Sequence, residues 1–132
     1  MGMSARYLLD THALIWWMLD AAELSNRARR IIAEKENAIL VSAATLWEIA
    51  IKQRKGLLRG CDDYLREYPS RHARWGFGTL SIGPEDAVAA GSLEWSHGDP
   101  FDRMLVAQSQ NSNIPLLTCD DGINAYHPLC IW

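Results

Sequence analysis

The chain has 132 residues, 48% of them hydrophobic and 22% charged, with a formal net charge of −3. That length suits one domain with a sizeable core, read here as residues 3–132, and the composition is that of a soluble globular protein rather than a disordered or fibrous one. No apolar run reaches the roughly 18 residues that cross a bilayer, which argues against a membrane-spanning role.

The first residues, Met1-Gly2-Met3-Ser4-Ala5-Arg6, lack signal-peptide anatomy, and Met3 offers a second candidate start. Tyr7-Leu8-Leu9 is a short apolar strand ending in Asp10-Thr11, and Ala13 to Leu19 reads as a buried helix. Ser25 caps a second helix carrying Ala28, Ile31 and Ile32, with Arg27, Arg29 and Arg30 on its outer face. Ala38-Ile39-Leu40-Val41 is a compact strand, and Ser42 caps a helix through Leu46, Trp47, Ile49 and Ile51 that stops near Gly56. Residues 61–74 are polar and helical in tendency, with a break expected at Pro69. Leu80-Ser81-Ile82 reads as a strand, Pro84 opens a helix to about Trp95, and Phe101 to Gln110 forms another. Leu116-Leu117-Thr118 is a strand, Asp121-Gly122 a turn, and Leu129-Cys130-Ile131 an edge strand.

Short continuous apolar strands alternating with helices predict an α/β fold, with a central, mostly parallel sheet of four to five strands covered on both faces. In such sheets ligands gather beyond the carboxyl ends of the strands. Cys61, Cys119 and Cys130 are odd in number and share no ligand-like spacing, so they read as reduced thiols in a cytoplasmic protein.

Four acids stand in or beside apolar segments, where a carboxylate is costly: Asp10, Glu48, Asp102 and Asp120. Each has a structural alternative. Asp10 could cap the helix after it, and Asp120 precedes the Asp121-Gly122 turn. Glu48 could pair with Lys52 one helical turn on, and Asp102 suits the first turn of a helix begun by Asp99-Pro100. Brought together, two such charges about 4 Å apart repel by roughly 4 kcal/mol at an effective dielectric near 20. Four would need a cation, and oxygen-only ligation points to Mg²⁺ or Mn²⁺ and to metal-assisted attack on a phosphodiester. Neutralising these four carboxylates moves the net charge from −3 to +1, so the global sign does not exclude nucleic acid.

Other side chains are open to two readings. His12 and His97 suggest metal-free acid–base cleavage, but no spacing pairs them. Lys52, Arg54 and Arg103 could touch phosphate or only balance charge, and Trp16 and Trp17 suit a core or a subunit contact.

Taken in order, Leu8-Leu9-Asp10-Thr11-His12-Ala13-Leu14-Ile15-Trp16, then Leu46-Trp47-Glu48-Ile49-Ala50-Ile51-Lys52, His97-Gly98-Asp99-Pro100-Phe101-Asp102-Arg103 and Leu117-Thr118-Cys119-Asp120 resemble the PIN-domain ribonucleases. Within that family they are similar to the VapC-type toxins of bacterial toxin–antitoxin pairs. The four segments match in order and separation along nearly the whole chain. The resemblance implies a three-layer α/β/α domain, usually a homodimer, that cleaves RNA at an acidic cluster holding one or two Mg²⁺ or Mn²⁺. It assigns Asp10, Glu48, Asp102 and Asp120 to that cluster, with the Thr118 hydroxyl nearby; by their own positions Thr11 and Asp99 read as supporting residues rather than primary ligands. It implies a VapB-like antitoxin whose C-terminal segment blocks the site. Ile123 departs from the aromatic residue that relatives commonly carry after the last acid. The rival readings are an RNA-binding or regulatory module without turnover and, further off, a phosphoryl-accepting switch. A switch would want a second acid two residues after Asp10, where His12 stands.

Overall fold

Leu8 and Leu9 point to opposite faces of one strand and are both fully buried, which requires a layer of helices on each side of the sheet. The structure, a computed structural model, describes residues 5–132, so the candidate start at Met3 lies outside it. Five strands, β1 (Arg6–Leu9), β2 (Ala38–Ser42), β3 (Phe77–Leu80), β4 (Leu116–Leu117) and β5 (Cys130–Ile131), form one parallel sheet in the order β3-β2-β1-β4-β5. Helices α1 (Thr11–Met18), α2 (Asn26–Ala33), α3 (Ala43–Arg54), α4 (Asp62–Trp75), α5 (Pro84–Ser92), α6 (Pro100–Ser112) and α7 (Asp121–Tyr126) make the outer layers of a three-layer α/β/α architecture.

The period-two alternation of the strands divides the core. Leu9, Ile39, Val41 and Leu117 pack with Leu14, Ala28, Ile32, Ile49 and Tyr64, residues of α1 to α4. Leu8 and Leu116 pack on the other side with Leu105 and Val106 of α6 and Ile123 of α7. A one-residue slip in register would exchange these two sets, so burial fixes the pairing of Leu9 with both Val41 and Leu117. Ser25 and Ser42 cap α2 and α3 as the sequence predicts, each hydroxyl accepting a first-turn N–H at 3.0 Å. Among the described residues no helix is long and apolar enough to cross a membrane.

Three expectations are corrected. α4 continues through Pro69 instead of breaking there. Pro69 sits on the exposed side, while Tyr64 and His72 on the same helix are buried, so packing of the inner face outweighs the lost backbone bond. The third strand lies at Phe77–Leu80, not Leu80–Ile82. It is obscured by Gly76, which ends α4 at φ +78°, and by Gly78, where a Cβ would stand 3.0 Å from Leu40 Cδ2. Asp121-Gly122 opens the six-residue helix α7 rather than a simple turn.

Candidate active site

The strand order reverses direction between β1 and β4, the place where an open parallel sheet leaves a crevice at its carboxyl edge. Leu9 pairs with Leu117, and Asp10 donates its N–H to the Leu117 carbonyl at 3.1 Å. Asp10 and Asp120 therefore leave neighbouring strands, the condition under which the two acids share an edge. α3 and α6 bring Glu48 and Asp102 to the same place. Asp10, Glu48, Asp102 and Asp120 line one cavity of about 290 Å³, together with Thr11, His12, Lys52, His97, Asp99 and Ile123.

Each carboxylate is held by local structure as well as by the cavity. Asp10 caps α1, its Oδ1 accepting from the Ala13 N–H at 2.7 Å. Burial pushes the Asp10 carboxyl up to about 6. The Thr118 hydroxyl and the Ala13 N–H act against that push, and the Asp102 charge adds to it. Asp120 caps α7 by accepting from the Ile123 N–H at 2.9 Å, while its own N–H donates to Thr118 Oγ1 at 3.1 Å. The structural roles offered for Asp10 and Asp120 are thus real, and each employs only Oδ1.

Glu48 is 4% exposed in the middle of α3. Its Oε1 accepts from the Thr11 hydroxyl at 2.6 Å and its Oε2 from Lys52 Nζ at 2.5 Å, so the pair with Lys52 forms inside the cavity wall. Asp102 is the third residue of α6. Burial raises its carboxyl, the His97 hydrogen bond opposes this, and the charges of Asp99 and Asp120 push further upward. Asp99 caps α6 through the N–H groups of Phe101 and Asp102 at 2.8 and 3.2 Å, and it too faces the cavity.

The donors suit a hard divalent cation: several carboxylates of one sign around a polar cavity, two of them pushed up by burial and by a neighbouring acid. Among the described residues no three His, Cys, Asp or Glu side chains are gathered tightly enough to hold a metal ion. The Asp102 charge disfavours ionisation of Asp10 and the Asp120 charge that of Asp102, while Glu48 and Asp102 each retain a partner, Lys52 and His97.

Two basic residues expected near phosphate are placed elsewhere. The Arg103 guanidinium donates to the carbonyls of Ala90, Leu93, Trp95 and His97 at 2.6–3.1 Å, tying α6 to the segment after α5. Arg54 is exposed in the last turn of α3 and does not line the cavity. Lys52 does line it. His97, which the sequence offered only as a candidate for metal-free acid–base cleavage, stands against one of the acids. Its Nε2 lies 2.8 Å from Asp102 Oδ2, and its ring stacks on Trp95 with centroids 4.5 Å apart. The available signal was position: His97 precedes the Asp99 cap by two residues, where the entering chain folds back along the first helical turn.

A family model described as PIN domain matches residues 7–127. Ribonuclease VapC16 of Mycobacterium tuberculosis is 40% identical over 62 residues, 47% of this chain and 44% of that protein. The chain thus matches less than half the length of this curated relative. The solved VapBC2 from Rickettsia felis, bound to a DNA fragment from its promoter, aligns with a TM-score of 0.69 at 15% identity, covering 96% of this chain and 97% of that one. A toxin–antitoxin complex from Klebsiella pneumoniae aligns with a TM-score of 0.66 at 22% identity over 98% and 97%. At these identities the two structures establish the likeness of fold.

Proposed function

The chain belongs to the PIN-domain family, and from that premise we propose that it is a divalent-metal-dependent endoribonuclease, the toxin of a VapBC-type toxin–antitoxin pair. The observation that carries the reading is the meeting of Asp10, Glu48, Asp102 and Asp120, from four separate elements, around one cavity at the carboxyl edge of the sheet. Asp10, Asp102 and Asp120 would hold Mg²⁺ or Mn²⁺, with Glu48 at the margin. Bound there, the ion would acidify water and neutralise charge developing on the phosphate.

The chain's own residues supply position and charge. The N-caps of α1 and α7 fix Asp10 and Asp120 through Oδ1, and the Thr118 hydroxyl steadies the Asp10 carboxyl beside them. Thr11 and Lys52 clamp Glu48, which puts an ammonium group in the wall where an RNA phosphate would enter. Hydrolysis by water leaves a 5′-phosphate and a 3′-hydroxyl, whereas a histidine-driven reaction through the ribose 2′-OH leaves a cyclic phosphate.

The test is RNA cleavage with Mg²⁺ or Mn²⁺, with EDTA, and with product end groups identified. Cleavage that persists in EDTA, or cyclic phosphate ends, would refute the metal reading. Binding of RNA with no turnover at any metal concentration would leave a regulatory module in its place. The partner follows the relatives that are toxin–antitoxin complexes: a VapB-like antitoxin covering the cavity. A homodimer is part of the same reading, supported by Trp47 and Val88, which are 60% and 69% exposed. Light scattering of the isolated chain and co-purification with the product of the adjacent reading frame check these two partners.

A further inference from the structure

His97 is held more firmly than a surface histidine has reason to be. One ring face stacks on Trp95, 4.5 Å away at 15°, and Trp95 stacks in turn on Tyr126, 4.7 Å away at 7°. A Cβ at Gly122 would stand 3.6 Å from His97 Nδ1 and 3.2 Å from Asp120 Oδ1, so α7 approaches the imidazole and the acid together at a position without a side chain. Arg103 fixes the backbone beneath, donating to the carbonyls of both Trp95 and His97. These restraints aim one atom, His97 Nε2, at Asp102 Oδ2. Among the described residues Asp102 Oδ1 has no hydrogen-bond partner, which leaves it available to the cavity.

We propose that His97 is a positioning residue for Asp102: the stacked imidazole holds one carboxylate oxygen so that the other is presented to a divalent cation. This rests on the nuclease reading above for its chemistry, but the geometry is this chain's own. A carboxylate on the first turn of a helix has rotamers that swing it toward solvent, and half of the work of a metal site lies in removing them. His97 does that while the Asp99 cap holds the backbone of the same turn. The contact requires a proton on Nε2, so that the imidazole donates to the carboxylate oxygen.

The experiment compares the full chain with His97→Ala and His97→Gln, all shown folded by circular dichroism. The readouts are the Mn²⁺ dissociation constant by calorimetry and the kcat and KM for RNA cleavage at saturating Mn²⁺. The expected result is Mn²⁺ affinity weakened about tenfold in His97→Ala, by analogy with the loss of other groups that orient metal ligands. Most of it should return in His97→Gln, whose amide can donate to Asp102, with KM for RNA changed less than about twofold in either. Wild-type affinity in His97→Ala, or no recovery in His97→Gln, would overturn the proposal. If the wild-type chain binds Mn²⁺ but cleaves no RNA, the nuclease reading fails and the affinity comparison still decides the role of His97. If it binds no Mn²⁺, the role falls with the metal site.

Discussion

Asp10 serves two roles with opposed demands: capping α1 favours an ionised acceptor, whereas burial to 5% exposure beside other acids penalises the charge. Its folded carboxyl near 6 stands above the ordinary 3.8, so the penalty is fully present above about pH 6 and is relieved as pH falls toward 3.8. Asp10→Asn keeps an acceptor for the Ala13 N–H and removes the charge. In metal-free buffer at pH 7.5 it should gain stability of up to about 3 kcal/mol by urea titration, while cleavage falls by at least roughly 100-fold. A destabilised Asn variant would mean that the carboxylate's contacts outweigh its desolvation. Glu48→Gln tests the neighbour. It leaves Lys52 Nζ in the cavity wall facing a neutral amide, and should lower both cleavage and urea stability, the latter by about 1 kcal/mol. The four acids were legible because a carboxylate among apolar residues is an anomaly even in one dimension. Arg103 and His97 were not, since a flexible cation and a lone imidazole look alike in sequence whether they meet solvent, carbonyl oxygens or an acid.

At the scale of elements, α4 carries two departures from helix rules that make separable predictions. Pro69 forfeits a backbone hydrogen bond at an exposed position in the middle of fourteen residues. Pro69→Ala should therefore stabilise the protein by about 2 kcal/mol, the helix gain of roughly 3 less the smaller chain-entropy advantage that proline confers. The second departure is His72, 4% exposed, with Nε2 2.7 Å from the Tyr64 hydroxyl and Nδ1 without a partner among the described residues. Burial lowers its pKa, so the folded chain binds fewer protons there than the unfolded one. Stability from this group is complete above about 6.5 and is lost as pH falls below it. His72→Gln retains a hydrogen-bonding amide for Tyr64 and cannot titrate, so the wild-type chain should lose stability relative to this variant between pH 7.5 and 5.5. A constant difference across that range would place the imidazole's proton outside the folding equilibrium. Most elements were readable from capping serines and apolar periodicity. β3 was masked by two glycines, and α7 by an Asp-Gly pair whose turn chemistry equally well opens a helix.

For the whole molecule, the quantity that local sequence cannot supply is which strands are neighbours. Tyr7-Leu8-Leu9 and Leu116-Leu117 read as strands wherever they lie, but only the order β3-β2-β1-β4-β5 sets Asp10 beside Asp120 and opens the cavity between α3 and α6. The fold thereby stores electrostatic repulsion at one edge of the sheet, and its stability should respond to anything that discharges that edge. Protons and divalent cations are then competitors with different signatures. Acid relieves Asp10 while charging His72, and His127 likewise has its pKa lowered by burial, so the effects oppose one another between about pH 4 and 6.5. Mn²⁺ discharges the acids without touching those two histidines. At neutral pH, Mn²⁺ at about 1,000 times its dissociation constant should add about 4.1 kcal/mol, more than Asp10→Asn gains without metal, which raises Tm by roughly 15 °C for a chain of this size. EDTA should reverse the shift, and Asp10→Asn should lose most of it although its metal-free Tm is the higher of the two. That crossing of the two proteins, mutant above wild type without metal and below it with metal, is what a charge-crowded site predicts and a merely acidic surface does not. Parallel thermal curves with and without Mn²⁺ would sink it.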